Sequence, residues 1–584
     1  MKKRGLNIAF VAVILLLSLP GLQMIFKFFE EKPLNGAFIV AEKPILNYGN
    51  WMNGTYQQQM ESYIKDHSGL KSFMVRLQNQ LDFLLFRQAN AEGAVVGNNG
   101  QLFEYDYIRS WMGIDYPGDS FLEKKLQRTR WVQDYLKREK NIDLVVVFEP
   151  GKASFYEEYL PDKYRKQKTG PSTYERYRHK AEEAGIDFID LQQYFLQLKP
   201  SAEYPLFPRY GTHWSVYGMR FAADSILRLI EQKRNISLTA AKADSMFVSS
   251  EPFNTDDDVL KTMNLLLPMK GEELAYPVYS FDTLHPGTKP MVLVVADSYY
   301  WNIFNTRIPK YIFANEAFWY FNTLVYPDHY IQPTYTKDIN FQQEFEKQDI
   351  IFLMITERFV HKFDWRFIDQ IYELYTPDWI KDPVYEKIND IMMLAPWYAE
   401  VIKRGHRFEI SLEQALIKEG KYLYHQSDTA GYFIDYGLEH YMKVITDDQG
   451  WMEAIRDKAK KQGESEETAL KEDALFIFQQ DHPVLFELNR SKAAFELEIR
   501  NDPALMEQVK NEATSYHVDL ETFIGLKAYQ MVKEDEFRKT AHAILSDPSW
   551  YADVMRKATE KGITTEEMIR LDAEYLFNEK LKSH

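Results

Sequence analysis

A serine and a histidine carry the chemistry that this sequence offers. Ser298 closes the run Met291-Val292-Leu293-Val294-Val295-Ala296-Asp297-Ser298, and His213 lies in Tyr210-Gly211-Thr212-His213-Trp214-Ser215. A buried strand that stops on Asp-Ser before a turn and a helix lifts a hydroxyl to the edge of a sheet. A histidine on a second loop at that edge takes the hydroxyl's proton, which is the arrangement for acyl transfer or ester hydrolysis. The plainer reading makes Ser298 a helix N-cap and His213 an ordinary loop histidine. Neither residue has a metal-ligand spacing such as His-x-x-x-His beside it, so no metal and no cofactor are expected.

Helices alternating with continuous apolar strands must position the pair. The strands read as Leu144–Phe148, Ile186–Leu191, Met291–Ala296 and Ile350–Met354, with helices over about 120–139, 172–184 and 215–231. That alternation predicts an α/β fold, a parallel sheet covered on both faces, with reactive groups beyond the carboxyl ends of its strands. Ahead of it, 48–90 reads as amphipathic helix through Met60, Tyr63, Ile64, Phe73, Leu77, Leu81, Leu84 and Leu85. The stretch 236–285 is polar and reads as strand-poor.

The chain has 584 residues, enough for two or three domains. Its net charge of -16 disfavours nucleic acid. With no cysteine, disulfides and thiolate metal sites are excluded. Lys2, Lys3 and Arg4 precede an uncharged stretch from Leu6 to Phe26. At 1.5 Å per residue that stretch would span roughly 30 Å, one bilayer core. Positive charge on the short N-terminal side predicts a single-pass inner-membrane signal anchor with the body in the periplasm or outside the cell. A cleaved signal peptide is the alternative.

From about residue 386 the pattern is all-helical and repeats. Trp397-Tyr398-Ala399-Glu400-Val401 is echoed by segments starting at Trp451, Leu505 and Trp550, spaced 54, 54 and 45 residues apart. Each continues through a polar turn into a helix with an acidic start, which predicts four stacked helical units. The regular tryptophans read as core packing, with sugar stacking as the alternative. The expected organisation is a cytoplasmic stub and anchor (1–31), a helical lead-in (32–90), an α/β domain (91–385) and a four-unit helical repeat domain (386–584).

Four blocks add a resemblance. Gly97-Asn98-Asn99-Gly100-Gln101-Leu102-Phe103, Glu149-Pro150-Gly151-Lys152 running on to Leu160-Pro161, Gly211-Thr212-His213-Trp214 with Gly218, and Ala296-Asp297-Ser298 follow one another in order. The series resembles the SGNH hydrolase-like domain of the alginate O-acetyltransferase AlgJ/AlgX family over about residues 35–380. The resemblance implies an α/β/α SGNH-like fold and acetyl transfer onto an extracytoplasmic polysaccharide. The acetyl group would commonly come from a membrane-bound O-acyltransferase. Mapped onto this chain, Ser298 is the nucleophile and His213 the base. The family's acid two residues before the histidine is replaced by Gly211, which cannot orient an imidazole. Asp190, at the end of a predicted strand on the same edge, is the expected substitute, ahead of Asp297 or a backbone carbonyl. Arg209 is a candidate for holding an anionic sugar, and Asn302 and Asn315 are candidates for donating to an oxyanion. Ala296 stands where the family has glycine, which would narrow the turn. Hydrolysis by an acetylesterase is the variant of this chemistry in which water accepts the acetyl. The alternative is a non-catalytic SGNH-like scaffold that assembles a polysaccharide-modification or secretion complex through a protein partner on its repeats.

Overall fold

The computed structural model describes residues 2–36, 40–327 and 332–582. The chain forms two compact units, one of residues 1–113, 145–176 and 188–360, the other of 114–144, 177–187 and 361–584. Its strands are β1 (Ala94–Val96), β2 (Leu102–Glu104), β3 (Asp143–Glu149), β4 (Phe188–Asp190), β5 (Ala241–Ser249), β6 (Leu274–Phe281), β7 (Val292–Ala296), β8 (Ala317–Tyr320), β9 (Leu324–Tyr326), β10 (Thr334–Tyr335) and β11 (Ile350–Thr356).

Seven strands make the central sheet of the first unit, in the order β10-β9-β8-β7-β11-β3-β4. The pairs β7/β11, β7/β8 and β3/β4 are parallel, while β8/β9 and β9/β10 are antiparallel. The sheet is thus mixed: short turns after β8 fold the chain back on itself at one edge, too short for a parallel crossover. Strands β3, β7 and β11 are buried at every residue, as their unbroken apolar runs require of strands covered on both faces. The helix Val216–Arg234 packs on β6 and on the short helix Tyr300–Phe304 that follows Ser298.

One further expectation changes. The stretch 236–285 holds the long hairpin β5/β6. Strand β5 is exposed along most of its length on both sides, so it has no alternation of apolar and polar residues to read. Leu6–Phe26 lies within the helix Lys2–Phe26, which takes in three basic residues and Pro20. Among the described residues no helix is long and apolar enough to cross a membrane.

In the second unit, Trp397, Trp451, Leu505 and Trp550 lie near the starts of helices Ala395–Arg407, Gln449–Gln462, Pro503–Tyr516 and Pro548–Lys561. The three tryptophans pack against buried clusters of the helices. Ser411, Ser465, Asp519 and Thr564, at one common offset, cap the partner helices by accepting the N–H three residues on. A cation on the first helix meets an acid on the second in three copies: Arg404 with Glu419 at 3.0 Å, Lys458 with Asp473 at 2.8 Å and Lys557 with Asp572 at 3.2 Å. The third copy inverts the pair, Glu512 with Lys527 at 2.6 Å.

Each first helix ends on a left-handed residue, Glu409, Gly463, His517 or Gly562, with φ of 54°, 71°, 53° and 68°. Glycine is the residue that fits there. Glu409 is exposed and strained, so Glu409→Gly is expected to stabilise the helical unit by about 0.5–1 kcal/mol, net of glycine's greater unfolded-state entropy. A rise in its thermal midpoint checks this.

Candidate active site

Ser298 stands at the carboxyl end of β7, a strand with parallel neighbours on both sides. The turn that carries it is locked by Asp297. That carboxylate is fully buried and accepts the Thr356 N–H (3.0 Å), the Thr356 hydroxyl (2.6 Å) and the Tyr299 N–H (3.0 Å). Burial pushes the Asp297 carboxyl up, and these three hydrogen bonds oppose the shift. Asp297 thereby ties the end of β7 to the end of β11 and fixes where the serine begins.

His213 is held by its loop from several directions. Trp214 is wholly buried, with its ring against Phe195 and Tyr299. The Tyr299 hydroxyl donates to the Thr212 carbonyl at 2.7 Å, and Ser215 caps the helix Val216–Arg234. From below, the buried Lys152 donates to the carbonyls of Pro208 (2.7 Å), Arg209 (3.0 Å) and Gly211 (2.7 Å). The Leu102 N–H donates to the Arg209 carbonyl at 2.9 Å, which ties β2 to the same loop. Gly97 permits the β1/β2 turn, because a Cβ there would lie 2.5 Å from the Phe103 ring and 2.7 Å from the Tyr159 carbonyl oxygen.

His213 Nε2 lies 2.8 Å from Ser298 Oγ, and its Nδ1 lies 2.6 Å from Asp258 Oδ2. Asp258 Oδ1 accepts the Thr212 N–H at 2.9 Å, so the same carboxylate fixes the imidazole and the backbone beside it. The order of contacts is carboxylate, imidazole, hydroxyl, the geometry in which the acid sets the tautomer and the imidazole draws the serine proton.

The acid is not the one expected. Asp190 caps the helix Leu191–Leu198 by accepting the Gln193 N–H, and it also takes the Tyr174 hydroxyl at 2.7 Å. Asp258 occupies the place at the imidazole, from the start of the short helix Asp258–Thr262 between β5 and β6. Gly211 is the reason that loop can come so near: a Cβ on it would lie 2.4 Å from the Thr255 carbonyl oxygen and 2.8 Å from that of Asp256. The missing acid and the glycine are one arrangement, in which the glycine clears the path of the segment that delivers the carboxylate. Tyr276 on β6 steadies the segment by donating to Asp256 at 2.7 Å. The one sequence signal is the run Asp256-Asp257-Asp258 in a stretch that reads as polar and strand-poor.

The other expected residues separate. Asn302 is near the site, but its amide donates to the Trp214 carbonyl at 3.3 Å. Asn315 belongs to the opposite end of β7, accepting the Val292 N–H at 2.8 Å and donating to Gln348 at 3.0 Å. Arg209 is half-buried, with its guanidinium 3.8 Å from Glu272. Glu149, at the end of β3, is fully buried and neither carboxyl oxygen has a hydrogen-bond partner among the described residues. Burial pushes it well up, with Asp297 adding to the shift. No group of ligands fit for a metal ion occurs among the described residues.

Residues 95–266 match the family described as "SGNH hydrolase-like domain, acetyltransferase AlgX". The chain carries an AlgX-type SGNH hydrolase-like domain. The matched segment of that domain includes Lys152, His213 and Asp258 and ends before Ser298. Among solved structures, the chain is similar to the O-acetyltransferase domain of Pseudomonas putida AlgJ, at 19% identity and a TM-score of 0.32, over 48% of this chain and 98% of that one. It is similar to Pseudomonas aeruginosa AlgX at 18% identity and a TM-score of 0.27, over 45% of this chain and 55% of that one. Bacillus cereus PatB1 aligns at 12% identity and a TM-score of 0.27, over 45% of this chain and 95% of that one. No curated protein matches the chain.

Two outcomes are expected from this part of the SGNH hydrolase-like domain. Gly211→Ala forces the 255–258 segment away and costs about 1–3 kcal/mol of stability. The His213 to Asp258 contact should open, seen as loss of the downfield imidazole N–H proton resonance. Burial pulls Lys152 down to about 7, against an ordinary value of 10.5. Between those two values the unfolded chain binds more protons than the folded one. Stability should therefore rise with pH across that window, by up to ~1.4 kcal/mol per unit. Urea midpoints at pH 7, 8 and 9 should show the slope in the wild type and its loss in Lys152→Met.

Proposed function

We propose that this protein is an extracytoplasmic O-acetyltransferase that acetylates hydroxyls of a cell-surface or exported polysaccharide through an acetyl-serine at Ser298. The observation that carries the reading is the unbroken contact from Asp258 through His213 to Ser298. Ser298 Oγ attacks the acetyl carbonyl of the donor while its proton passes to His213 Nε2. The imidazolium, held by Asp258, gives that proton to the departing donor oxygen as the C–O bond breaks. A sugar hydroxyl then attacks the acetyl-serine carbonyl and loses its proton to His213, which passes it to Ser298 Oγ as the Oγ–C bond breaks and the serine is regenerated. With water in place of the sugar the same steps are those of an acetylesterase. At the turn, the Tyr299 N–H is already engaged by Asp297, so Tyr299 is not the donor to the oxyanion. A membrane-bound O-acyltransferase is the proposed source of the acetyl group, and the C-terminal helices are the proposed protein-binding part.

The extracytoplasmic placement draws its support from Lys2, Lys3 and Arg4 ahead of the uncharged Leu6–Phe26. An alkaline phosphatase fusion after the α/β body is expected to be active; an inactive fusion with an active cytoplasmic reporter at the same point would put the body on the other side.

Ser298→Ala and His213→Ala are expected to abolish turnover of p-nitrophenyl acetate and polysaccharide acetylation in cells. Asp258→Asn is expected to lower kcat/KM by about 10²–10⁴ while leaving Ser298 in place. Asp190→Asn should leave kcat/KM near the wild-type value, which separates the two aspartates. Wild-type turnover in both Ser298→Ala and His213→Ala would sink the assignment.

A further inference from the structure

The helix Lys71–Phe86 is turned inside out. Its buried side carries Asn79 and Gln80 beside Phe83. Asn79 donates to the Met263 carbonyl at 2.8 Å, and Gln80 accepts the Leu267 N–H at 3.0 Å. Its outward side carries Met74, Leu81, Leu84, Leu85 and Phe86, the last three 62, 68 and 69% exposed. The amphipathic pattern read from the sequence is real, but its apolar stripe faces away from the protein and its polar groups hold the helix down. Thirteen large hydrophobic side chains are exposed between residues 40 and 86, none between 87 and 245, and seven between 246 and 284. A run as dense as that over 40–86 marks a binding surface.

We propose that the outward face of Lys71–Phe86 lies in the interface of a lipid bilayer. The inference rests on the reading that the N-terminal segment is held at a membrane. Continuity selects lipid as the occupant. The helix starts against the last turns of Lys2–Phe26, where a Cβ on Gly69 would lie 2.5 Å from the Pro20 carbonyl oxygen. That first helix is itself exposed along Val11–Leu19, and the contact at Gly69 joins its end to the start of the second. Trp51 and Tyr48, exposed nearby in sequence, are the residue types that settle at the headgroup level, and Lys65 and Arg87 are exposed basic residues that suit anionic lipid. The helix would lie along the surface with its leucines in the acyl boundary, setting the attached α/β body close to the membrane.

The absence of cysteine makes the test direct, since a single introduced thiol carries the only label. The full chain bearing Leu84→Cys, or Thr283→Cys as an exposed comparison, is labelled with an environment-sensitive fluorophore. Each is reconstituted into phosphatidylcholine–phosphatidylglycerol vesicles with and without doxyl-labelled lipid. The label at 84 is expected to brighten, shift to the blue and be quenched by doxyl lipid, while the label at 283 is not. A label at 84 that stays unquenched on protein that floats with the vesicles overturns the interfacial helix and leaves the membrane-held reading intact. A blue shift that grows with protein concentration and ignores doxyl lipid overturns it in favour of a second copy on this face. Protein that fails to float with vesicles overturns both readings together.

Discussion

The candidate site depends on how closely two stretches of backbone pass at Gly211. Around that point the carbonyls of 255 and 256 come within the space a methyl group would fill. On one side of the crossing lies the loop of His213, stapled by Lys152, Tyr299 and β2. On the other is the segment that ends in Asp258. Because the approach is set by backbone, the carboxylate arrives at Nδ1 with little freedom to wander, and the same carboxylate takes the Thr212 N–H. Positioning of this kind works through rigid neighbours rather than through the strength of any one bond.

Lys152 shows the other side of the same constraint. Three carbonyl oxygens converge on the one buried Lys152 Nζ, so these three backbone acceptors find their donor inside the fold. Asp297 does the equivalent work beneath the serine, accepting three donors. Tyr299 joins the serine turn to the histidine loop, and the hydrogen bond from Ser298 to His213 forms between parts already in place.

What the sequence made legible follows from what kind of signal each part leaves. Strands β3, β7 and β11 are buried on both faces and so write themselves as apolar runs. Ser298 and His213 could be found because one ends such a run and the other opens a capped helix. Asp258 could not, because its link to His213 joins a loop to the start of a one-turn helix 45 residues away, with no periodicity to betray it. Asp190 was plausible for its place at a strand end, and that place in fact serves the following helix as a cap. Hairpin β5/β6 was missed since a ribbon wet on both sides has no inward face to mark. The helix Lys71–Phe86 was readable as amphipathic, but which way its apolar stripe points is decided by Asn79 and Gln80 finding partners near residues 263–267.

The inverted ion pair of the third helical copy has a meaning beyond its own few tenths of a kilocalorie. Four hairpins built to one plan invite a helix from one copy to pair with the second helix of another. Such an exchange would bring Glu512 against Glu419, Asp473 or Asp572, and Lys527 against Arg404, Lys458 or Lys557. Every wrong partnership involving the third copy therefore sets like charges face to face, while every right one joins opposites. Mispairing with the third copy is thereby disfavoured by a single exchange of sign.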